Sequence, residues 1–143
     1  MSLRRDNRIA AVQFLYRWDI NPSDSLELSV VDFFAGLERQ PSYYAFAKAL
    51  IKGAIEKRDQ IDAIIEKYAQ NWHFSRIAKI DLSILRLALY EMHFCPDIPP
   101  IVSINEAIEL SKRFSINEAK RFINGILDRC KHDLQRPLKD AAV

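Results

Sequence analysis

Residues 82–92, LSILRLALYEM, carry apolar side chains around most of a helical circumference, with Ser83, Arg86 and Glu91 as interruptions. A helix lying on a surface shows one apolar stripe, whereas a helix that is apolar nearly all round is enclosed by others. The segment predicts the central helix of a bundle, running over about residues 77–94 after Ser75. Cys95-Pro96-Asp97-Ile98-Pro99-Pro100 ends it, because consecutive prolines and an aspartate cannot extend a helix.

Upstream, helical spacing predicts a first helix over 4–19. Asn21-Pro22-Ser23-Asp24 supplies a turn and the next N-cap, and a second helix follows over 25–39. Gln40-Pro41-Ser42 breaks the chain again before a long helical stretch over 43–69, interrupted near 58–61. Downstream, the pentapeptide SINEA occurs at 103–107 and again at 115–119, each copy closely followed by Lys-Arg-Phe. Ser-x-x-Glu is the capping-box pattern, so Ser103 and Ser115 are each expected to begin a helix. Nothing else recurs at the 20–50-residue period of a duplicated fold unit. The chain is expected to fray after Arg136-Pro137, where apolar content drops.

With 143 residues, 49% of them hydrophobic, three glycines and six prolines, the chain fits a single domain over 1–143 with a substantial core. Alternating strand patterns are missing, so the class is all-α. The first residues lack an apolar signal core, and no apolar run reaches the roughly 20 residues that span a bilayer. A cytoplasmic protein without a membrane role is expected. Cys95 and Cys130 do not make a disulfide framework.

The net charge of +2 conceals an uneven distribution. Residues 1–17 total +3, residues 18–110 total −5 and residues 111–139 total +5. Basic ends flanking an acidic middle can present one surface to a polyanion and another to a basic partner.

Arg4, Arg5 and Arg8 crowd the first turns of the opening helix, where the macrodipole favours acids. At 100° per residue, Arg5, Ile9, Val12 and Tyr16 fall along one side and Gln13 near its margin. A reader of single-stranded RNA uses arginines for phosphates, an aromatic ring for stacking and an amide for a base edge. The competing reading makes Tyr16 and Trp18 core residues and the arginines a solvated terminus. Lys120, Arg121 and Phe122 repeat the combination in a later helix, with Phe122 at the margin of an apolar stripe. Lys112-Arg113-Phe114 reads as a core phenylalanine beside two surface cations.

His93, Cys95, Cys130 and His132 offer the ligand count of a zinc site, but the spacing does not fit one. His73 is isolated and reads as a surface or interface residue. Glu106 and Glu109 share a helix face, as acids three residues apart commonly do. There is no glycine-rich phosphate loop, nucleophile elbow or His-Glu-x-x-His. No catalytic residue, metal or cofactor is assigned, and a binding protein rather than an enzyme is expected.

Four segments carry a specific resemblance. RRDNRIAAVQFLYRWDIN (4–21) resembles the arginine-rich first helix of the bacterial transcription antitermination factor NusB family. IDLSILRLALYEM (80–92) resembles its central helix, and IPPIVSINEAIELSKRF (98–114) with RFINGILDR (121–129) resembles its last two. The resemblance implies a bundle of about seven helices, with two packed three-helix groups around the central one. It also implies binding to the boxA element of ribosomal RNA transcripts together with the ribosomal protein NusE, within the RNA polymerase antitermination complex.

Carried over by motif, Arg4, Arg5, Arg8, Gln13, Tyr16, Lys120, Arg121 and Phe122 would contact RNA. Arg76 and Asp81, around the central helix, are the candidates for NusE. The second SINEA departs from the family pattern, since Ala119, Lys120 and Arg121 stand where Ser-His-Lys is usual. Two other readings fit the same helices: a protein–protein adaptor or homodimer without an RNA role, and a detached RNA-binding domain of a ribosomal RNA methyltransferase.

Overall fold

The computed structural model describes residues 2–69, 73–134 and 136–138. Among them are seven α-helices: α1 (Leu3–Ile20), α2 (Leu26–Ala35), α3 (Ala45–Glu56), α4 (Arg58–Ala69), α5 (Lys79–Phe94), α6 (Pro100–Phe114) and α7 (Asn117–Asp133). Short 3-10 turns at Pro41–Tyr44 and Phe74–Arg76 precede α3 and α5. None of the described helices is long and apolar enough to cross a membrane.

Local chemistry accounts for most boundaries. Ser2 caps α1, its hydroxyl accepting from the Arg5 N–H at 3.1 Å, and Ser25 caps α2 by accepting from the Leu28 N–H at 3.2 Å. The α2 cap is thus Ser25 rather than the preceding turn. The helix stops at Ala35, short of the expected Arg39, with Gly36 as its C-cap, its N–H shared between the Phe33 and Phe34 carbonyls. The interruption in the long stretch falls at Lys57, between α3 and α4.

The two SINEA segments do not form capping boxes. Pro99 and Pro100 start α6 three residues before Ser103, since proline at the first helical position gives up only an N–H that has no intrahelical partner. Ser103 is therefore inside the helix and buried, and its hydroxyl donates to Glu91 at 2.8 Å. Ser115 closes α6 instead of capping α7. Its N–H donates to the Ser111 carbonyl at 2.9 Å and its hydroxyl to Asp81 at 2.6 Å.

Helix α5 is the centre. Leu82, Ile84, Leu85, Leu87, Ala88, Leu89 and Met92 are buried, and α1, α3, α4, α6 and α7 all pack on it. On one side α1 packs on α3, and α2 joins them through Phe33, whose ring meets Phe14 edge-on at 5.5 Å. On the other side α7 packs on both α4 and α6. Gly53 of α3 permits one close approach, because a Cβ there would lie 1.9 Å from the Tyr90 hydroxyl of α5.

A charged cluster pins the C-terminal end of α1. The buried Asp19 carboxylate lies 2.6 Å from Arg58, with Oδ2 at ion-pair distance, 3.3 Å, from both Lys79 and Arg86. Arg86 also donates two hydrogen bonds to Asp62, at 2.8 and 3.0 Å. Burial pushes the Asp19 pKa up, but the charges of Arg86, Arg58 and Lys79 outweigh it and leave the group below its ordinary value.

Of the segment around Arg136-Pro137, where fraying is expected to begin, residues 136–138 are described and are held to the bundle. The Arg136 guanidinium donates to the carbonyls of Met92, Cys95, Pro96 and Ile98, closing the C-terminal end of α5. The Ile101 N–H donates to the Leu138 carbonyl at 2.8 Å. Residues 139–143 lie outside the described residues.

Gly53→Ala is expected to lower stability by about 1–3 kcal/mol in urea unfolding, the usual cost of overpacking. In a Tyr90→Ala background the same change is expected to turn neutral or stabilising, because alanine is the better helix former. A second expectation concerns acid. The Asp19 contribution is complete above the ordinary carboxylate range and is lost as pH falls through the lowered folded value. The stability gap between the protein and Asp19→Asn is therefore expected to be constant from neutrality to about pH 5 and to shrink below about pH 4.

Candidate nucleic-acid interface

Helix α1 buries Ala10, Ala11, Val12, Phe14 and Leu15. Arg4, Arg5, Gln13, Tyr16 and Arg17 remain outside. The side predicted to run from Arg5 through Ile9 and Val12 to Tyr16 is not one outer face, because Val12 is fully buried and Ile9 partly so. Tyr16 keeps 37% of its surface, so its ring is accessible. Two of these outer arginines lie over aromatic rings, Arg4 over Phe46 at 4.4 Å and Arg17 over Phe33 at 5.4 Å. Such stacking orients a guanidinium while leaving its edge N–H groups able to donate.

Arg8 requires a correction. It is only 2% exposed and spends its fork on Glu91, with Nε and Nη2 donating at 2.9 and 2.7 Å. Its third nitrogen, Nη1, is 3.7 Å from Glu106. Arg8 is thus an internal anchor joining α1 to α5 and α6, not an outward cation. The reason is angular: the side of α1 that carries Arg8 faces α5, where Glu91 awaits it.

The chain of charges continues to the surface. Ser103 donates to Glu91, Glu91 holds Arg8, Arg8 neighbours Glu106, and Glu106 accepts two hydrogen bonds from Arg5 at 3.2 and 2.7 Å. The Arg5 hydrogen bond holds the Glu106 carboxyl below the usual carboxylate range against the opposing effect of burial. Pairing within single helices does not disclose these acids as partners of the arginines, because the contacts join residues 83 and 101 positions apart.

A cleft of about 430 Å³ lies between α1 and α6, lined in part by Arg5, Ile9, Glu106, Leu110, Lys112 and Arg113. It brings the cations of the first Lys-Arg-Phe opposite Arg5. Beyond Ser115, the first turns of α7 carry exposed Arg121 together with half-buried Lys120 and Phe122. Phe122 packs against the core at its inner side, and Lys120 donates to the Asn117 side chain at 3.1 Å.

The NusB family's sequence model matches residues 5–132. The chain belongs to the NusB family. It is similar to the transcription antitermination protein NusB of Myxococcus xanthus, 39% identical over 140 residues that make up 96% of this chain and all of that one. Among solved structures it resembles T. maritima NusB with a TM-score of 0.81 at 32% identity, covering 93% of each chain. A structure of the antitermination factors NusB and NusE in complex with dsRNA contains a chain that matches with a TM-score of 0.79 at 26% identity, covering 94% of this chain and 99% of that one.

Within this NusB fold the two candidates near the central helix separate. Arg76 is exposed in the 3-10 turn before α5. Asp81, 6% exposed, accepts from the Ser115 hydroxyl and so ties the first turn of α5 to the end of α6. Cys95 and Cys130 are free, and burial above all pushes their thiols up to about 11 and about 12.

The two arginines at the cleft are expected to behave differently on substitution. Arg8→Ala leaves Glu91 buried without its counter-charge and is expected to cost about 3–5 kcal/mol in urea unfolding. Arg5→Ala, at an exposed position, is expected to leave the unfolding midpoint nearly unchanged.

Proposed function

We propose that this protein is a transcription antitermination factor that binds boxA-type single-stranded RNA of ribosomal RNA transcripts together with the ribosomal protein NusE. It acts by binding, without catalysis, in the cytoplasm and as part of the RNA polymerase antitermination complex. The observation that carries the reading is the set of side chains that α1 leaves exposed in a NusB-family chain. Exposed Arg4 and Arg5 open the helix, and Gln13 and the accessible Tyr16 ring stand further along it.

Arg5 and Tyr16 are about 16 Å apart along the axis at 1.5 Å per residue, a span of several nucleotides. Phosphates meet the cations, a base stacks on Tyr16, and Gln13 is placed to read a base edge. Lys120, Arg121 and Phe122 extend this surface beyond the α6–α7 junction, with Lys112 and Arg113 adding charge between. Arg8 serves it from inside, by fixing the rotation of α1. Arg76 is the residue we assign to the NusE side, and the acidic middle of the chain suits a basic ribosomal protein.

The test is fluorescence anisotropy with a labelled boxA-like RNA and a scrambled control, with and without NusE. The unsubstituted protein is expected to prefer the boxA-like RNA, and NusE to strengthen that binding. Tyr16→Ala is expected to weaken it by about five-fold or more, the lower end of what one stacked base contributes. Affinity is expected to fall steeply with salt, and less steeply in the Arg4→Ala, Arg5→Ala double variant. Equal binding to both RNAs would reduce the surface to a generic polyanion site. A stable protein complex with no RNA binding would favour an adaptor.

A further inference from the structure

Arg5 is the cation best placed to meet a phosphate at the mouth of the α1–α6 cleft, yet its fork is already occupied. Nε and Nη2 both donate to the Glu106 carboxylate, the two-pronged geometry by which arginine also grips a phosphate. The pair is unevenly exposed: the Arg5 side chain keeps 45% of its surface and Glu106 only 14%. A ligand arriving from solvent therefore reaches the guanidinium before the carboxylate.

Resting on the functional reading above, we propose that Glu106 is an internal stand-in for an RNA phosphate. It holds Arg5 in the RNA-free protein and yields it when a phosphate of the bound strand arrives. Binding at this point exchanges one anion for another on the same guanidinium.

Three features make the exchange workable. Glu106 is not stranded when Arg5 leaves, because Arg8 Nη1 stays 3.7 Å away and Arg8 is itself held by Glu91. Arg5, at the solvent end of the chain of charges, can swing without moving that anchor. The wall opposite Arg5 supplies Lys112, itself 3.2 Å from Glu109, and exposed Arg113, whose guanidinium lies 5.7 Å from the Phe114 ring centre. The consequence is a filter. A strand whose phosphates miss this position meets a neutralised Arg5 and gains little from it, so Glu106 lowers attraction to arbitrary polyanions.

The test measures anisotropy of the same two labelled RNAs with the full-length protein and with Arg5→Ala, Glu106→Gln and both together. An exposed ion pair is a weak competitor, so Glu106→Gln is expected to tighten binding by about two- to five-fold, for the scrambled RNA at least as much as for the boxA-like one. In the Arg5→Ala background the gain is expected to vanish. Equal gains in both backgrounds would mean a general field effect and overturn the exchange. Unchanged or weaker binding by Glu106→Gln would show that Glu106 is idle or pre-positions Arg5, with the same result for the proposal.

A second measurement needs no substitution. The Arg5 Nε–H resonance is expected to shift as RNA is added, and a resonance unmoved at saturation would also overturn the exchange. Absence of RNA binding by the unsubstituted protein would instead remove the functional reading itself.

Discussion

The placement of α1 depends on one buried ion pair. Arg8 of α1 and Glu91 of α5 meet through two hydrogen bonds at 2.7 and 2.9 Å, both side chains almost wholly out of water. Desolvating two charges is expensive, and their attraction offsets that cost only when geometry is good and spare hydrogen-bonding positions are filled. Both conditions are met. The fork lies square on the carboxylate, and Ser103 donates to a Glu91 oxygen as well. Such a pair adds less to stability than apolar packing of equal volume would, but it tolerates only one rotation and one height of α1. Which residues of the first turns of α1 face solvent follows from that setting.

The other end of α1 is held by the same kind of chemistry with the signs reversed. There an acid on α1, Asp19, is surrounded by Arg58, Lys79 and Arg86 from α4 and α5. Between the two anchors runs an apolar strip from Ala10 to Leu15. With both ends pinned and the middle packed, the interval between Arg5 and Tyr16 is a property of a rigid rod.

The two SINEA peptides show how far context governs identical residues. Ser103 is carried into α6 by prolines that precede it and ends in the buried Glu91 network. Ser115 follows Phe114 at the helix end and joins α6 to α5 through Asp81. The glutamates diverge as well: Glu106 meets Arg5 across the cleft, while Glu118 lies exposed in the first turn of α7. Neither serine makes the reciprocal cap that the local pattern favours: prolines carry Ser103 inside α6, and Ser115 ends that helix with its hydroxyl on Asp81.

The amino-acid sequence determined the helical class, the identity of the central helix and most of the breaks between helices. These depend on apolar periodicity and on proline, glycine and serine acting within a few residues of themselves. Its motifs also determined the family. Only the tertiary structure decided which arginine went where. Arg4, Arg5 and Arg8 are equivalent in composition and share one stretch of helix, but they end stacked on Phe46, paired at the cleft mouth and buried beneath it. Likewise Asp81 reads as a surface acid until Ser115, 34 residues away, closes over it. Burial and charge pairing depend on which helix lies opposite, and that is set by the packing of all seven rather than by any neighbour along the chain.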